Sequence, residues 1–341
     1  MTPLDPTAAG FLLAENRQQP MHVGGLQLFR PPEDAGPDYV RDMFAASLGA
    51  EDISPLFLKR PHRSIATGGQ WVWVEDEQFD CDYHVRHSAL AAPHRVRELL
   101  DLCGRLHGTR LALERPLWET HIIEGLEDGR VATYTKIHHA LVDGVSSMRL
   151  LQSVLSTDPD RRDMPPPWGR QQVEAVRPAV DNDTSLFDLP LSAYRSAYAL
   201  VGEAAGMPAA LLRTLTRGIR NDTSALSLYA PRTIINKPIT GSRRFAAQSW
   251  EIERMRSVGA ASGTTINDVV LAMCSGAMRR YLLELGALPD STLVAMVPVG
   301  LKAKEAASAS ASGGNAVGAV MVKLGTDLAD PADRLRSIHR S

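Results

Sequence analysis

Two adjacent histidines followed by an aspartate and a glycine form the most reactive pattern in this 341-residue sequence. His138, His139, Asp143 and Gly144 stand in the order H-H-x-x-x-D-G. An imidazole titrates near neutral pH, so one of these histidines could take a proton from a hydroxyl group as a general base. Adjacent residues of an extended chain point to opposite faces, which argues against the pair binding one metal ion. We therefore predict a catalytic histidine and no metal site.

The elements on either side of this motif must position its side chains. Residues 131–137 resemble a strand, and residues 145–155 carry apolar side chains at helical spacing. A strand-to-helix junction lets side chains project into a cleft while rigid elements hold them. Gly144 can adopt a backbone angle that other residues resist, and Asp143 can pair with an arginine to hold the turn. The alternative is that both histidines are packed core residues and Asp143 is a helix N-cap.

A hairpin is predicted to carry the motif at its end. The segment after Pro116 alternates like a strand, and the sequence Asp128-Gly129 is a hairpin turn signal before residues 131–137. The earlier predicted elements are a strand at 21–29, a helix at 38–48, a strand at 71–74 and a helix at 94–108. Together these elements form a first domain, residues 1–158.

The second half begins after a change in composition. Residues 159–242 combine a proline-rich linker with a helical crossover at 190–220. A second domain is predicted at 243–341, with a strand at 245–252 and a helix at 253–261. A long helix follows, with a capping-box-like start at 264–268, running to about Leu285 with Gly286 as its stop. Strands at 293–299 and 315–322 and a helix from residue 330 complete this domain. Strands and helices mix without strict alternation, so the predicted fold class is α/β, as an α+β layered sandwich.

The composition excludes several functional classes. The net charge of -2 gives no basic field for nucleic acid, so no nucleic-acid partner is expected. Three widely spaced cysteines favour free thiols in a reducing compartment. No signal peptide and no apolar run near the roughly 20 residues of a membrane span are found, so a cytoplasmic location is expected. The 190–220 stretch, with arginines at its end, could lie on a membrane or lipid droplet, or could pack on the two halves.

A mechanism through a covalent enzyme intermediate lacks a candidate nucleophile, because the sequence contains neither a G-x-S-x-G motif nor a cysteine beside a histidine. Asn267 is predicted in the first turn of a long helix, where it could donate a hydrogen bond to a developing oxyanion. Ordinary hydrogen bonding at a helix N-terminus is an equal alternative for this residue.

The H-H-x-x-x-D-G motif is the signature of the coenzyme A-dependent acyltransferase superfamily, which includes chloramphenicol acetyltransferase and peptide-synthetase condensation domains. More of the chain resembles one branch, the bacterial wax ester synthase/acyl-CoA:diacylglycerol acyltransferases. The segments that carry this resemblance are Pro3-Leu4-Asp5, Phe11-Leu12, residues 20–24, Arg115-Pro116-Leu117-Trp118, and residues 265–271, 297–299 and 314–318. The match extends over nearly the whole chain outside the linker.

The resemblance implies a chloramphenicol acetyltransferase-like fold of two halves with a tunnel between them. It places His139 at the middle of the tunnel as general base, with His138 supporting the site and Asp143 structural. Pro116, Leu117 and Trp118, more as wall or packing than as catalysts, and Asp268 and Asn315 are its candidate substrate-binding residues. Members of the family continue beyond the point where this sequence stops, so an incomplete second domain is expected.

The resemblance also implies the reaction. Acyl-CoA would enter as co-substrate from one side and diacylglycerol or a fatty alcohol from the other, with no resident cofactor. The expected activity is an O-acyltransferase that makes triacylglycerol or wax ester by direct attack of the alcohol. Two alternatives are a non-catalytic lipid-binding protein on the same fold and a condensation-type or polyketide-linked acyltransferase.

Overall fold

The computed structural model describes residues 1–50, 52–142, 144–162, 164–170, 230–300 and 317–341. These residues fall into two compact units. The first contains the described residues up to 170 together with Ile239–Ala247, and the second contains 230–238, 248–300 and 317–341. The domain boundaries at 158 and 243 stay predictions, and the linker and crossover helix predicted at 171–229 lie outside the described residues.

The first unit combines two sheets with helices on their faces. Its strands are β1 (Thr2–Pro3), β2 (His22–Phe29), β3 (Lys59–Arg63), β4 (Trp71–Glu75), β5 (Val85–Ala89), β6 (Trp118–Glu124) and β7 (Val131–His138). Its helices are α1 (Pro6–Ala14), α2 (Tyr39–Leu48), α3 (Pro55–Leu58), α4 (Cys81–His84), α5 (Val96–Gly108) and α6 (Gly144–Ser153). The strand order is β1-β4-β3 in the smaller sheet and β2-β7-β6-β5 in the larger.

The two central strands of the larger sheet, β6 and β7, are buried on both faces. β7 pairs antiparallel with β2 and with β6, whereas β5 pairs parallel with β6. The predicted hairpin of β6 and β7 is confirmed, and Gly129 takes a φ of 75° in its turn, a region that favours glycine. Because strand side chains alternate, Ile122 packs into one core cluster and Ile123 into another. Apolar residues of α5, Leu99 and Cys103, complete the second cluster.

The segment Ile239–Ala247 lies against α5. A Cβ atom at Gly104 would be 2.9 Å from the carbonyl oxygen of Arg243, and one at Gly108 would be 2.8 Å from that of Gly241. Only glycine permits this approach of the two backbones. The predicted strand at 245–252 is wrong: residues 245–251 are irregular, and no strand among the described residues lies beside them.

The second unit packs helices against a two-stranded antiparallel sheet. Its elements are α7 (Ile252–Ser262), α8 (Ile266–Glu284), β8 (Val294–Gly300), β9 (Val317–Lys323) and α9 (Pro331–His339). The predicted helix starts are confirmed, because Thr265 and Asp268 form a capping box at α8 and Asp330 caps α9. Gly286, with a φ of 59°, follows the end of α8 as predicted.

A buried ion pair ties α5 to the larger sheet. The fully buried Lys136 donates from Nζ to the carbonyl oxygens of Leu106 at 2.9 Å and Thr109 at 2.8 Å. Its Nζ also lies 2.6 Å from Oε1 of Glu119. Burial raises the pKa of Glu119, but His121 and Lys136 outweigh it and lower that pKa to about 2. The ammonium group thus supplies donors for carbonyls at the end of α5 and a partner for a buried carboxylate.

Replacing Lys136 with methionine should lower the free energy of unfolding by about 3–5 kcal/mol, because Glu119 is left buried without its partner. Urea unfolding at pH 7, followed by circular dichroism, measures this loss. The matched control is Arg280→Met, which removes an exposed ion pair with Glu284 and should change stability little. Equal stability of the two variants would contradict the conclusion that Lys136 compensates the buried charge of Glu119.

His22 is another buried polar group of this sheet. Its Nε2 donates to the carbonyl oxygen of His107 at 2.8 Å, which fixes the neutral tautomer. Burial lowers the pKa of His22 to about 4, even though the bond to that carbonyl favours the protonated ring. The native state therefore holds this imidazole uncharged well below the pH at which an exposed histidine takes up a proton.

The unfolded chain should bind a proton at His22 near pH 6.5, before the native state does, so the free energy of unfolding falls as the pH decreases from 6.5 to 4. His22→Gln keeps a nitrogen donor near the position of Nε2 but cannot titrate. The variant should lose less stability over this range, by up to about 1.4 kcal/mol per pH unit. Urea unfolding between pH 4 and 7 tests this, and parallel curves for both proteins would refute it.

Candidate active site

Backbone hydrogen bonds from two segments hold the histidine pair at the end of β7. The His138 N–H donates to the carbonyl oxygen of Leu117 at 3.0 Å, and the His139 N–H donates to that of Met21 at 2.9 Å. A turn follows, closed by a 2.9 Å bond from the Leu141 N–H to the His138 carbonyl. Helix α6 then begins at Gly144, one residue before the start of the helix predicted at 145–155. The predicted structural residue Asp143 lies outside the described residues.

The side chain of His138 is completely buried. Its Nδ1 accepts a hydrogen bond from the Ala140 N–H at 3.0 Å, so the proton of the neutral ring is on Nε2. That Nε2 lies 3.7 Å from Oε1 of Glu15, longer than a normal hydrogen bond. His138 therefore faces the interior of the unit. This position is compatible with a supporting role, which stays a prediction.

Glu15 is a buried carboxylate beside this ring, and its side chain is only 1% exposed. It accepts hydrogen bonds from Nη2 of Arg110 at 2.9 Å and from the Met21 N–H at 3.2 Å. Burial raises the pKa of Glu15, but the contacts with His138, Arg110 and the Met21 amide outweigh burial and lower it to about 2. The group is therefore an anion at any physiological pH.

His139 differs from its neighbour in being only half-buried. Its ring stacks on the ring of Phe11, with centroids 4.9 Å apart and planes inclined by 16°. A stacked ring restricts rotation of the imidazole, while the remaining exposure leaves part of it accessible. A base that reaches a substrate needs both properties. The assignment of His139 as that base stays a prediction.

Pro116, Leu117 and Trp118 are fully buried beside the motif. The indole Nε1 of Trp118 donates to the carbonyl oxygen of Phe57 at 2.9 Å, which satisfies its polar atom inside the core. The backbone of Leu117 accepts the hydrogen bond from His138 described above. These three residues thus pack the strand that supports the histidines, and their predicted contact with substrate stays a prediction.

Asn267 and Asp268 belong to the second unit, in the first turn of α8. The carboxylate of Asp268 accepts hydrogen bonds from the Thr265 N–H at 2.9 Å and from Nδ1 of His339 at 2.8 Å. Burial raises the pKa of Asp268, but these contacts outweigh it and the pKa is lowered. Asn267 is half-buried. The predicted oxyanion and substrate-binding roles stay predictions, and Asn315 lies outside the described residues.

Sequence reasoning missed two residues around the histidines. Glu15 and Arg110 were not candidates, and Phe11 was noted only for its place in the family resemblance. A signal for Glu15 exists: it stands four residues after Phe11 and directly follows the apolar run Phe11-Leu12-Leu13-Ala14. Residues at this spacing share one face of a helix, so the carboxylate follows an aromatic ring into the core.

The described residues were also predicted to lack a metal site, to keep their cysteines as free thiols and to contain no membrane span. The described part of the chain contains no cluster of three or more His, Cys, Asp or Glu residues placed to hold a metal ion. Cys81, Cys103 and Cys274 are free thiols, as expected. None of the helices in the described ranges has the length and apolar character that crossing a membrane requires.

The chain resembles known proteins in both sequence and fold. Residues 2–270 match the family model of the wax ester synthase/diacylglycerol acyltransferase catalytic domain. A relative from Mycobacterium tuberculosis, named as a probable diacylglycerol O-acyltransferase, is 44% identical over 336 residues, which is 98% of this chain and 72% of that protein. A second relative from the same organism, with the same type of name, is 45% identical over 344 residues, covering 100% of this chain and 72% of its own length.

Solved structures agree with the sequence relatives. The wax ester synthase/diacylglycerol acyltransferase from Marinobacter aquaeolei VT8 superposes with a TM-score of 0.73 at 42% identity, covering 99% of this chain and 70% of that one. The first condensation domain of the CDA synthetase has a TM-score of 0.53 at 17% identity, covering 99% and 72%, and this similarity shows the fold alone. The predicted α/β fold of this superfamily is confirmed. The chain belongs to the wax ester synthase/diacylglycerol acyltransferase family.

Proposed function

We propose that this acyltransferase moves a long-chain acyl group from acyl-CoA to diacylglycerol, to a fatty alcohol or to both, and so forms triacylglycerol or wax ester. The observation that carries the proposal is the placement of His139, half-buried and stacked on Phe11 at the end of β7. The Mycobacterium tuberculosis relatives are named for transfer to diacylglycerol, and the Marinobacter structure for both products. Acyl-CoA is the proposed co-substrate, and no resident cofactor takes part in the proposed reaction.

The proposed mechanism needs one base and no acyl-enzyme. His139 takes the proton of the acceptor hydroxyl while the oxygen attacks the thioester carbonyl carbon. The tetrahedral intermediate collapses with cleavage of the carbon–sulfur bond, and the imidazolium returns the proton to the leaving coenzyme A thiolate. A well-placed base of this kind accelerates a reaction by roughly 10²–10⁴-fold. Asn267 remains a candidate donor to the oxyanion.

Both substrates are lipids, so we also propose that the protein works at the surface of a membrane or lipid droplet. Long acyl chains partition into the apolar interior of membranes and lipid droplets. A peripheral enzyme can reach them from the surface without spanning the bilayer. The segment predicted for this contact, 190–220, lies outside the described residues. A cytoplasmic location is part of the same proposal.

His139→Ala should lower the turnover of palmitoyl-CoA by roughly 10²–10⁴-fold, because the hydroxyl loses its proton acceptor. Release of the coenzyme A thiol is measured with hexadecanol and with diacylglycerol as acceptors, side by side. The circular dichroism spectrum and the urea midpoint should match the wild type, because the half-buried ring contributes little to the core.

The matched control is His62→Ala, which removes a half-buried histidine of β3 in the smaller sheet and should keep full turnover. Retained turnover in folded His139→Ala would eliminate the general base. Absence of thiol release by the wild type with either acceptor would instead favour a lipid-binding protein or a carrier-linked acyltransferase. The ratio of the two acceptor rates identifies the preferred alcohol.

A further inference from the structure

The end of α1 contacts both histidines of the motif. Glu15 continues the helical pattern, because its N–H donates to the Phe11 carbonyl at 3.1 Å. Phe11 and Glu15 therefore lie on one face, four residues apart. The ring of Phe11 stacks on His139, and the carboxylate of Glu15 lies 3.7 Å from Nε2 of His138. Two residues one helical turn apart thus contact the two consecutive imidazoles, Phe11 by ring stacking and Glu15 through its negative charge.

Glu15 also joins the chain segments on which these imidazoles depend. Its carboxylate accepts hydrogen bonds from Arg110, which follows α5, and from the Met21 amide, just before β2. Met21 in turn accepts the N–H of His139. A single buried anion therefore connects α1, β2, the end of α5 and the end of β7. Movement of this carboxylate would be transmitted to both histidines.

Stability alone is a weak reason for an anion at this place. Removing a carboxylate from water is costly, and apolar residues that replace a buried ion pair often leave stability unchanged or increase it. The contacts of Glu15 are better explained by a role in orienting the His138 ring. Ala140 donates to Nδ1 of His138, and the anion favours a proton on the opposite nitrogen, so the ring has one tautomer and one orientation.

We propose that Glu15 is a positioning residue for acyl transfer, which holds His138 in its Nε2–H tautomer and, through His138 and Met21, orients the imidazole of His139. Phe11 completes the arrangement by holding the His139 ring from one face. The inference rests on the proposed function, since it takes His139 as the base. Misplacement of a reacting group by about 1 Å can cost about 100-fold in rate, and substrate affinity need not change.

Three variants test the link between Glu15 and His138. Glu15→Gln keeps the shape but turns an amide NH₂ toward donors. Glu15→Asp keeps the charge but withdraws it by one methylene group. His138→Asn keeps an acceptor for the Ala140 N–H and deletes the nitrogen that faces Glu15. In each variant kcat should fall by about 10–100-fold, whereas KM for palmitoyl-CoA and for the acceptor should change less than about twofold.

The double variant Glu15→Gln/His138→Asn separates positioning from general loss of structure. If Glu15 acts through His138, the double variant should have a kcat within about twofold of the slower single variant. Independent structural damage would instead multiply the two losses. Glu114→Gln, an exposed glutamate of the same unit, is the control and should keep the wild-type kcat and KM.

Several outcomes overturn the proposal. Multiplied losses in the double variant, a rise in KM with unchanged kcat, or a wild-type kcat in a folded Glu15 variant would each do so. If the Glu15 variants fail to fold, His138→Asn decides, because it breaks the same link from the other side and full kcat there refutes the inference. His139→Ala is assayed in parallel: its retained turnover would remove the proposed base itself, whereas its loss together with active Glu15→Gln removes only the positioning role.

Discussion

Hydrogen bonds to the backbone on both sides of β7 fix where the two histidines point. The His138 N–H is held by Leu117, next to β6, and the His139 N–H is held by Met21, next to β2. Backbone bonds of this kind cannot be lost without leaving buried groups unpaired, so they persist. As a result, the two neighbouring histidines have different environments. One imidazole faces the core and a carboxylate, and the other lies against an aromatic ring and belongs to a half-buried residue.

Among the described residues around this sheet, two buried carboxylates have a cationic partner, and each pair lies near the end of a helix. Lys136 pairs with Glu119 and caps the last carbonyls of α5. Glu15 follows the last residue of α1 and pairs with Arg110. Burying an ion is tolerated only when partners satisfy it, so each pair fixes several segments at once. The first pair holds a helix on the sheet, and the second holds the ends of strands at the histidines.

Local patterns predicted the elements whose signals lie within a few residues of one another. The hairpin of β6 and β7 follows from its turn, and the start of α8 from the capping box at Thr265. The strand expected at 245–252 does not form, because a local pattern does not reveal whether a partner strand lies alongside. The parallel pairing of β5 with β6 was missed for a related reason. Glu15 could not be assigned either, since its partners Arg110 and His138 are distant in sequence and only the fold brings them together.

The close contact of Gly104 and Gly108 with the segment Ile239–Ala247 has a consequence for biosynthesis. This segment belongs to the first unit, although a long stretch of chain separates it from α5. Domains generally fold as units while the ribosome is still translating. The first unit, however, obtains the segment Ile239–Ala247 only after residue 247 has left the exit tunnel, so the glycine surface of α5 stays uncovered until this later part of the chain has been synthesised.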